Sequence, residues 1–323
     1  MQPPGTTRFH TLLVPEPSVP LGVHLRTFLL RLPPSYAADT PHPVLLDIHG
    51  FTSDGKTQSE RSGFAQVVDR HGFIAVWPDG SNDSPSGTRG WNCLGSSFAG
   101  ESEYGPTCND DRRAFGEYEC FRSCGDRCQP RGPDNLTGTC LSTSCWDDVG
   151  FIGSLMDWLE EHLCVNVDRV HLSGLSNGAM MNYQLAHSFP DRVASMVPVA
   201  GLPLLGHLDE AVASRPTAVM AVHGLLDPII PANISTGFLG KPGPHGSTWS
   251  SDGFYYVPID NLTAAQASVN RCGRASDLRV RPTKYDGDLW CVGVGGSDPP
   301  FPHPPPPPPC PPGGGAVVEV LER

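Results

Sequence analysis

Apolar residues in this chain gather in short unbroken runs set between polar, glycine-rich stretches. Val44-Leu45-Leu46-Asp47-Ile48 is one such run, stopped by His49-Gly50. Phe73-Ile74-Ala75-Val76-Trp77 is another, stopped by Pro78-Asp79-Gly80. Runs this short, bounded by turn formers, read as strands buried on both faces. Residues 59–70 between them have helical spacing, and strand, helix, strand predicts a parallel sheet with a crossover. Residues 22–32 alternate loosely and read as a strand near a sheet edge. Order resumes at Asp147-Asp148, which cap a helix running to about His162, with Phe151, Leu155, Trp158, Leu159 and Leu163 on one face. This acidic pair reads as a charged helix N-terminus in preference to a catalytic pair. Further strands are expected at 169–172, 193–199, 217–222 and 316–321, and helices at 179–187 and 261–270. The fold class is therefore α/β, a mostly parallel sheet flanked by helices, in a single domain over residues 1–323.

Two stretches break the rhythm. Residues 78–146 are rich in Gly, Ser, Asn, Asp and Cys without any period, and read as a long Cys-rich insertion of functional consequence. Residues 297–315 form a Pro/Gly-rich low-complexity loop, and 240–253 a Gly/Pro/Ser loop. Seven of the 11 cysteines fall between Cys93 and Cys145, with no histidine among them. Zinc sites place four ligands in short paired spacings, usually with histidine, so a disulfide-tied loop is the better reading and no metal is expected. Disulfides imply an oxidising compartment, and the odd count leaves one thiol unpaired or shared between chains. Cys272 and Cys291 flank a short stretch and are candidates to pair. Asn82, Asn135, Asn233 and Asn261 each begin an Asn-Xaa-Ser/Thr triplet, in keeping with a secreted glycoprotein. Met1-Gln2-Pro3-Pro4-Gly5 is neither basic nor apolar, so the export signal is expected to lie outside this sequence.

Charge narrows the partners. The net charge is −12, with only three lysines and no basic stripe, which argues against nucleic acid. No run of about 20 apolar residues is present to span a bilayer. A monomer without cofactor is the expectation.

The chemistry centres on Gly174-Leu175-Ser176-Asn177-Gly178. A strand precedes it and a helix follows, the setting a nucleophile elbow requires. The glycines relieve crowding in a turn that forces the serine into an unfavourable backbone region. Ser176 is the expected nucleophile. The amide of Asn177 and that of Phe51, in the loop after the 44–48 strand, are the expected oxyanion donors. Asp227 ends a later strand 51 residues beyond Ser176 and is the expected triad acid. His223 lies too early in the same strand and loop to act as base, and His49 reads as structural. His245 sits in a Gly/Pro loop and His303 in the proline run. Neither follows a strand, so the base histidine is expected beyond Arg323.

The segments Leu46-Asp47-Ile48-His49-Gly50, Val76-Trp77-Pro78-Asp79-Gly80, Gly90-Trp91-Asn92, Asp147 to Ile152, Gly174 to Met180, Pro190 to Ala194, His223-Gly224 and Asp227-Pro228 resemble, in order, the secreted feruloyl esterase and polyhydroxybutyrate depolymerase branch of the α/β-hydrolases. The resemblance implies an α/β-hydrolase fold, the same roles for Ser176, Asp227, Phe51 and Asn177, and a place near the ester, as a substrate-binding residue, for Trp91. It also implies an ester substrate on polysaccharide or polyester, and a base histidine in a Gly-Gly-His-Xaa-Trp-Pro-like segment, which this sequence lacks. A non-catalytic relative that binds glycan or polyester, and a serine peptidase, are the competing readings.

Overall fold

In the computed structural model the described residues are 2–97, 102–105, 107–108, 118–128, 137–138, 143–237, 241–271, 278–285 and 287–294. A nine-stranded sheet runs through them. Its strands are β1 (Thr7–Pro15), β2 (Val23–Arg31), β3 (His42–Ile48), β4 (Ile74–Pro78), β7 (Val165–Leu175), β8 (Val193–Val199), β9 (Ala218–Gly224), β12 (Leu278–Tyr285) and β13 (Gly287–Val294). Two short pairs stand apart from it, β5 (Tyr118–Glu119) with β6 (Thr137–Gly138) and β10 (Thr248–Trp249) with β11 (Tyr255–Tyr256). The sheet order is β1-β2-β4-β3-β7-β8-β9-β13-β12. The five strands from β4 to β9 are mutually parallel. Antiparallel hairpins close both edges, β1–β2 beside β4 and β12–β13 beside β9. The exchange of β3 and β4 in the order, with helices on both faces, is the α/β-hydrolase architecture.

The period of two in a strand explains the two-sided core. Val44, Leu46 and Ile48 join the large cluster that also holds Phe151, Leu155 and Leu159 of α3 (Asp148–His162) and Met181 and Leu185 of α4 (Asn177–Ser188). Leu45 faces the other way, onto Val68 of α2 (Phe64–His71). Each such side chain, fully buried, contributes about 1.5–3 kcal/mol. The polar residue inside the β3 run is satisfied rather than misplaced. Buried Asp47 accepts from Gln58 Nε2 of α1 (Gly55–Arg61) at 2.9 Å and from Trp77 Nε1 at 2.8 Å, and burial raises its pKa.

Several expectations need adjustment. The single helix expected over 59–70 is two, α1 and α2, because Gly63 between them takes φ 70°, a left-handed conformation that ends one helix and caps the next. The strand expected at 169–172 extends over the whole of β7. The expected helix 261–270 is α6 (Ile259–Val269). A short helix, α5 (Leu208–Ala211), was not anticipated, nor was the β1 edge strand. The expected strand at 316–321, the proline-rich loop and Cys272 lie outside the described residues.

Only parts of the expected 78–146 insertion are described. Cys124 and Cys145 form a disulfide with Cα atoms 5.0 Å apart, and Cys108, Cys120 and Cys164 are also disulfide-bonded. Among the described residues, Cys93 is the free cysteine, and it is buried. Phe121 and Cys124 pack with Phe51, so the disulfide-tied segment backs the loop that follows β3. Among the described residues no helix is long and apolar enough to cross a membrane.

Candidate active site

The parallel strands deliver three loops to one end of the sheet: Gly50-Phe51 after β3, Ser176 after β7 and the Asp227 turn after β9. Ser176 has φ 56° and ψ −119°, backbone angles that a non-glycine residue adopts only when its surroundings impose them. What imposes them is a set of backbone approaches that exclude side chains. A Cβ on Gly174 would lie 2.6 Å from the Gly178 carbonyl oxygen. One on Gly178 would collide with the carbonyls of Ile48 and His49, and one on Gly201 with the Ser176 carbonyl. The Ser176 amide donates to Val199 O at 2.8 Å, tying the turn to β8. Buried Asn182 braces it from below, accepting from Gly174 N at 3.0 Å and donating to Ser173 O at 3.2 Å.

Among the described residues the Ser176 hydroxyl has no hydrogen-bond partner, and it opens on a cavity of about 250 Å³. Phe51, Met180, Leu204, Ile230, Phe254 and Tyr256 give that cavity a mainly apolar wall. Asn177, the first residue of α4, also lines it. Its amide lies at the helix N-terminus, where N–H groups have no intrahelical acceptor and the dipole favours negative charge. Phe51, in the loop after β3, lines the same cavity. The expected nucleophile and both expected oxyanion residues are thus brought together.

Asp227 is joined to the site through its turn. Its Oδ1 accepts from the amides of Ile229 (2.9 Å) and Ile230 (3.0 Å), two residues on the cavity wall. His223 holds the same turn, with its Nε2 2.7 Å from Ile230 O, and burial lowers its pKa. Its ring is committed to this bond. No described histidine lines the Ser176 cavity. His245 lines a separate cavity and stacks on Tyr104, with ring centroids 5.1 Å apart. His303 lies outside the described residues.

His49 is structural. Its Nδ1 bonds Gly50 O at 2.7 Å and its Nε2 accepts from Gly80 N at 2.9 Å, which fixes a neutral tautomer. Burial lowers its pKa to about 4. The structure corrects the expected place of Trp91. The ring is fully buried, absent from the cavity wall, and its Nε1 donates to His49 O at 2.8 Å. It braces the loop behind the site instead of lining the cavity. The acidic pair divides its work. Asp147 caps α3, accepting from Gly150 N at 2.8 Å, while Asp148 is wholly buried against Arg26 at 2.6 Å and accepts from Asn92 N at 2.7 Å. Burial raises the Asp148 pKa.

Sequence reasoning missed the residues that shape the cavity. Ser96 and Thr143, bonded to each other at 3.0 Å, come from the Cys-rich region, and Asp252, Phe254 and Tyr256 come from the end of the Gly/Pro/Ser loop and beyond. The aromatic cluster Phe254-Tyr255-Tyr256 was the available signal.

No family model matches the chain. It is 26% identical over 209 residues to Feruloyl esterase C of Emericella nidulans, covering 64% of this chain and 72% of that protein. It is 28% identical over 137 residues to Probable feruloyl esterase C of Aspergillus niger, covering 38% of this chain and 49% of that protein. A bifunctional acetylxylan esterase/xylanase of Neocallimastix patriciarum is 21% identical over 197 residues, covering 61% of this chain. The chain spans only 21% of that bifunctional protein and about half of the Aspergillus niger one. The chain thus has the α/β-hydrolase fold and is similar in sequence to fungal feruloyl and acetylxylan esterases.

Proposed function

We propose that this chain is a serine carboxylic-ester hydrolase of the feruloyl esterase type. The observation that carries the reading is the strained Ser176, its hydroxyl free of hydrogen-bond partners among the described residues, at the mouth of an aromatic-walled cavity. Ser176 Oγ attacks the ester carbonyl, and the developing oxyanion is received by the amides of Phe51 and Asn177 at the α4 N-terminus. Collapse of the tetrahedral intermediate expels the alcohol and leaves an acyl-enzyme, which water then hydrolyses. Asp227 orients the base, a histidine from outside the described residues, and stabilises its imidazolium form.

The cavity favours an aromatic acyl group over acetyl. Phe51, Phe254 and Tyr256 offer ring surfaces that a cinnamoyl group would cover and an acetyl group would leave bare. The polyester depolymerase half of the resemblance gains no support from the relatives found. The disulfides favour an oxidising, extracellular setting.

Labelling with a fluorophosphonate probe tests the nucleophile: Ser176 is expected to react, and Ser176→Ala to stay unlabelled. Equal labelling of the two proteins would overturn the assignment. Methyl cinnamate and p-nitrophenyl acetate then separate aromatic from acetyl preference.

A further inference from the structure

A second cavity, of about 400 Å³, lies apart from the Ser176 cavity. Its volume is that of a ligand cleft, which runs to about 300–1,000 Å³. One wall divides the two cavities. Leu204 and Tyr256 bridge to each other and line the Ser176 cavity, while the residues after them, Leu205 and Val257, line the second. No lysine or arginine is among the described lining residues of the second cavity, which disfavours an anion. Among the described residues no group of His, Cys, Asp and Glu is placed to hold a metal. Glu103, Asp209 and Asn261 supply carboxylate and amide groups instead, which suit a neutral ligand rich in hydroxyls.

Two tight turns, distant in sequence, build its aromatic side. In the first, the Ser102 hydroxyl donates to Gly105 O at 2.7 Å. This turn sits so close to Gly206 that a Cβ there would collide with the Ser102 side chain. It presents Tyr104, which remains 49% exposed. The second turn holds His245 at φ 52°, a left-handed conformation that a non-glycine residue keeps only under constraint, and Ser247 N closes it on Pro244 O at 3.0 Å. The Tyr104 and His245 ring centroids are 5.1 Å apart. An aromatic pair held open to solvent beside carboxylates and an amide matches a sugar. The C–H face of a pyranose covers the ring, and its hydroxyls exchange hydrogen bonds with the polar side chains.

The chain itself offers an attachment point for that sugar. Asn261, in the first turn of α6, begins the triplet Asn261-Leu262-Thr263 and lines this cavity. It is exposed and, among the described residues, makes no side-chain hydrogen bond. Asn82 lines neither cavity, and the Asn233 side-chain oxygen is occupied by the Ser235 hydroxyl at 2.6 Å. Asn135 lies outside the described residues. We propose that Asn261 carries an N-linked glycan whose first sugar sits in this cavity against Tyr104. The donor is an oligosaccharide on a lipid pyrophosphate. Asn261 Nδ2 forms a bond to the sugar C1, the C1–O bond breaks, the lipid pyrophosphate leaves with the electron pair, and Nδ2 gives up one proton to a base. Attachment belongs to the oxidising compartment that the disulfides favour.

The full chain, secreted from a yeast host behind an added export signal, provides the test. Enzymatic release of glycans in heavy-oxygen water converts each occupied asparagine to a labelled aspartate, which peptide mass spectrometry reads. Asn261 is expected to carry the label, and Asn261→Gln to lose one glycan in mass. An unlabelled Asn261 overturns the proposal. Should that protein bind free chitobiose, and Tyr104→Ala not bind it, the cavity takes its sugar from outside and the proposal still falls. The seat has its own measurement. Tyr104 lies outside the hydrophobic core, so Tyr104→Ala keeps the fold. Glycanase should release the Asn261 glycan from the folded parent about two- to tenfold more slowly than from Tyr104→Ala, the scale of one aromatic contact. Equal rates of release would overturn the seat against Tyr104, and the proposal with it, even with the glycan present.

Discussion

Trp91 and Asn177 hold each other by reciprocal hydrogen bonds. Trp91 N donates to Asn177 Oδ1 at 2.6 Å, and Asn177 Nδ2 donates back to Trp91 O at 3.1 Å. Both residues are buried, and the Ser96 hydroxyl adds a second donor to Trp91 O at 2.8 Å, so the polar groups of the pair are satisfied within the protein. It joins the first turn of α4 to the loop after β4, and the Trp91 indole carries the connection on to the His49 carbonyl. Asn177 at the helix start and the chain beneath Phe51 are thus one bonded unit.

Replacing Asn177 with alanine leaves the Trp91 amide buried without its partner, while the Trp91 carbonyl keeps the Ser96 hydroxyl at 2.8 Å. The expected loss is about 1–3 kcal/mol of unfolding free energy, read from the midpoint of urea unfolding. A loss below about 0.5 kcal/mol would mean that water replaces the amide at no cost and that the pair is not structural.

Ser176 holds its backbone angles against intrinsic preference, and its hydroxyl gains no hydrogen bond from the described residues in return. Ser176→Gly should therefore raise stability by about 1–2 kcal/mol while abolishing reaction with fluorophosphonates. Calorimetric melting of the two proteins decides the matter. A variant less stable than the parent would show that the elbow is not under strain.

Acid should loosen the fold through its buried histidines. His49, with its pKa lowered from 6.5 to about 4, binds a proton less readily folded than unfolded. Its contribution is complete above pH 6.5 and is lost as pH falls toward 4, a change of roughly 3 kcal/mol. His10, His24, His171 and His223 shift in the same direction, also through burial. His49→Gln should be less stable at pH 7, and its stability should fall less steeply between pH 6.5 and 4. Parallel pH profiles for parent and variant would remove His49 from this account.

Arg26 and Asp148 are buried together, with the Arg26 guanidinium also 4.0 Å from the centre of the Phe151 ring. Arg26→Met keeps most of the volume but strands the Asp148 carboxylate. The expected cost is about 3–5 kcal/mol at neutral pH. Because the stranded carboxyl can take up a proton, the deficit should shrink as pH falls, and urea unfolding at pH 7 and pH 5 measures both effects.

The parts of this fold that the sequence revealed are those whose pattern has a local cause. Val44–Ile48 and Ile74–Trp77 are buried on both faces, so their apolar runs are unbroken and conspicuous. The elbow was legible because its two glycines and serine fall within five consecutive residues, between a strand and a helix. The β1 strand was not, because its period points the wrong way. Phe9 and Leu13 are exposed, at 56% and 63%, while His10 is buried. Trp91 was misplaced because an aromatic residue near a nucleophile looks the same in sequence whether it meets substrate or supports the loop behind it. Asp252 escaped notice for the opposite reason: the turn that holds it is local, but its place in the Ser176 cavity is set by bonds to distant chain, Ser251 N to Pro228 O and Tyr255 N to Thr107 O.

The free thiol of Cys93 gives this assembly an internal gauge. Its sulfur lies 3.7 Å from the carbonyl oxygens of both Trp91 and Asn177, fully buried, and burial raises its pKa well above the usual thiol range. An alkylating reagent needs a thiolate it can reach, and here it finds neither until the Trp91–Asn177 unit parts. The rate at which Cys93 is modified under native conditions therefore counts openings of the Trp91–Asn177 unit. Ligands that fill the Ser176 cavity should slow that clock.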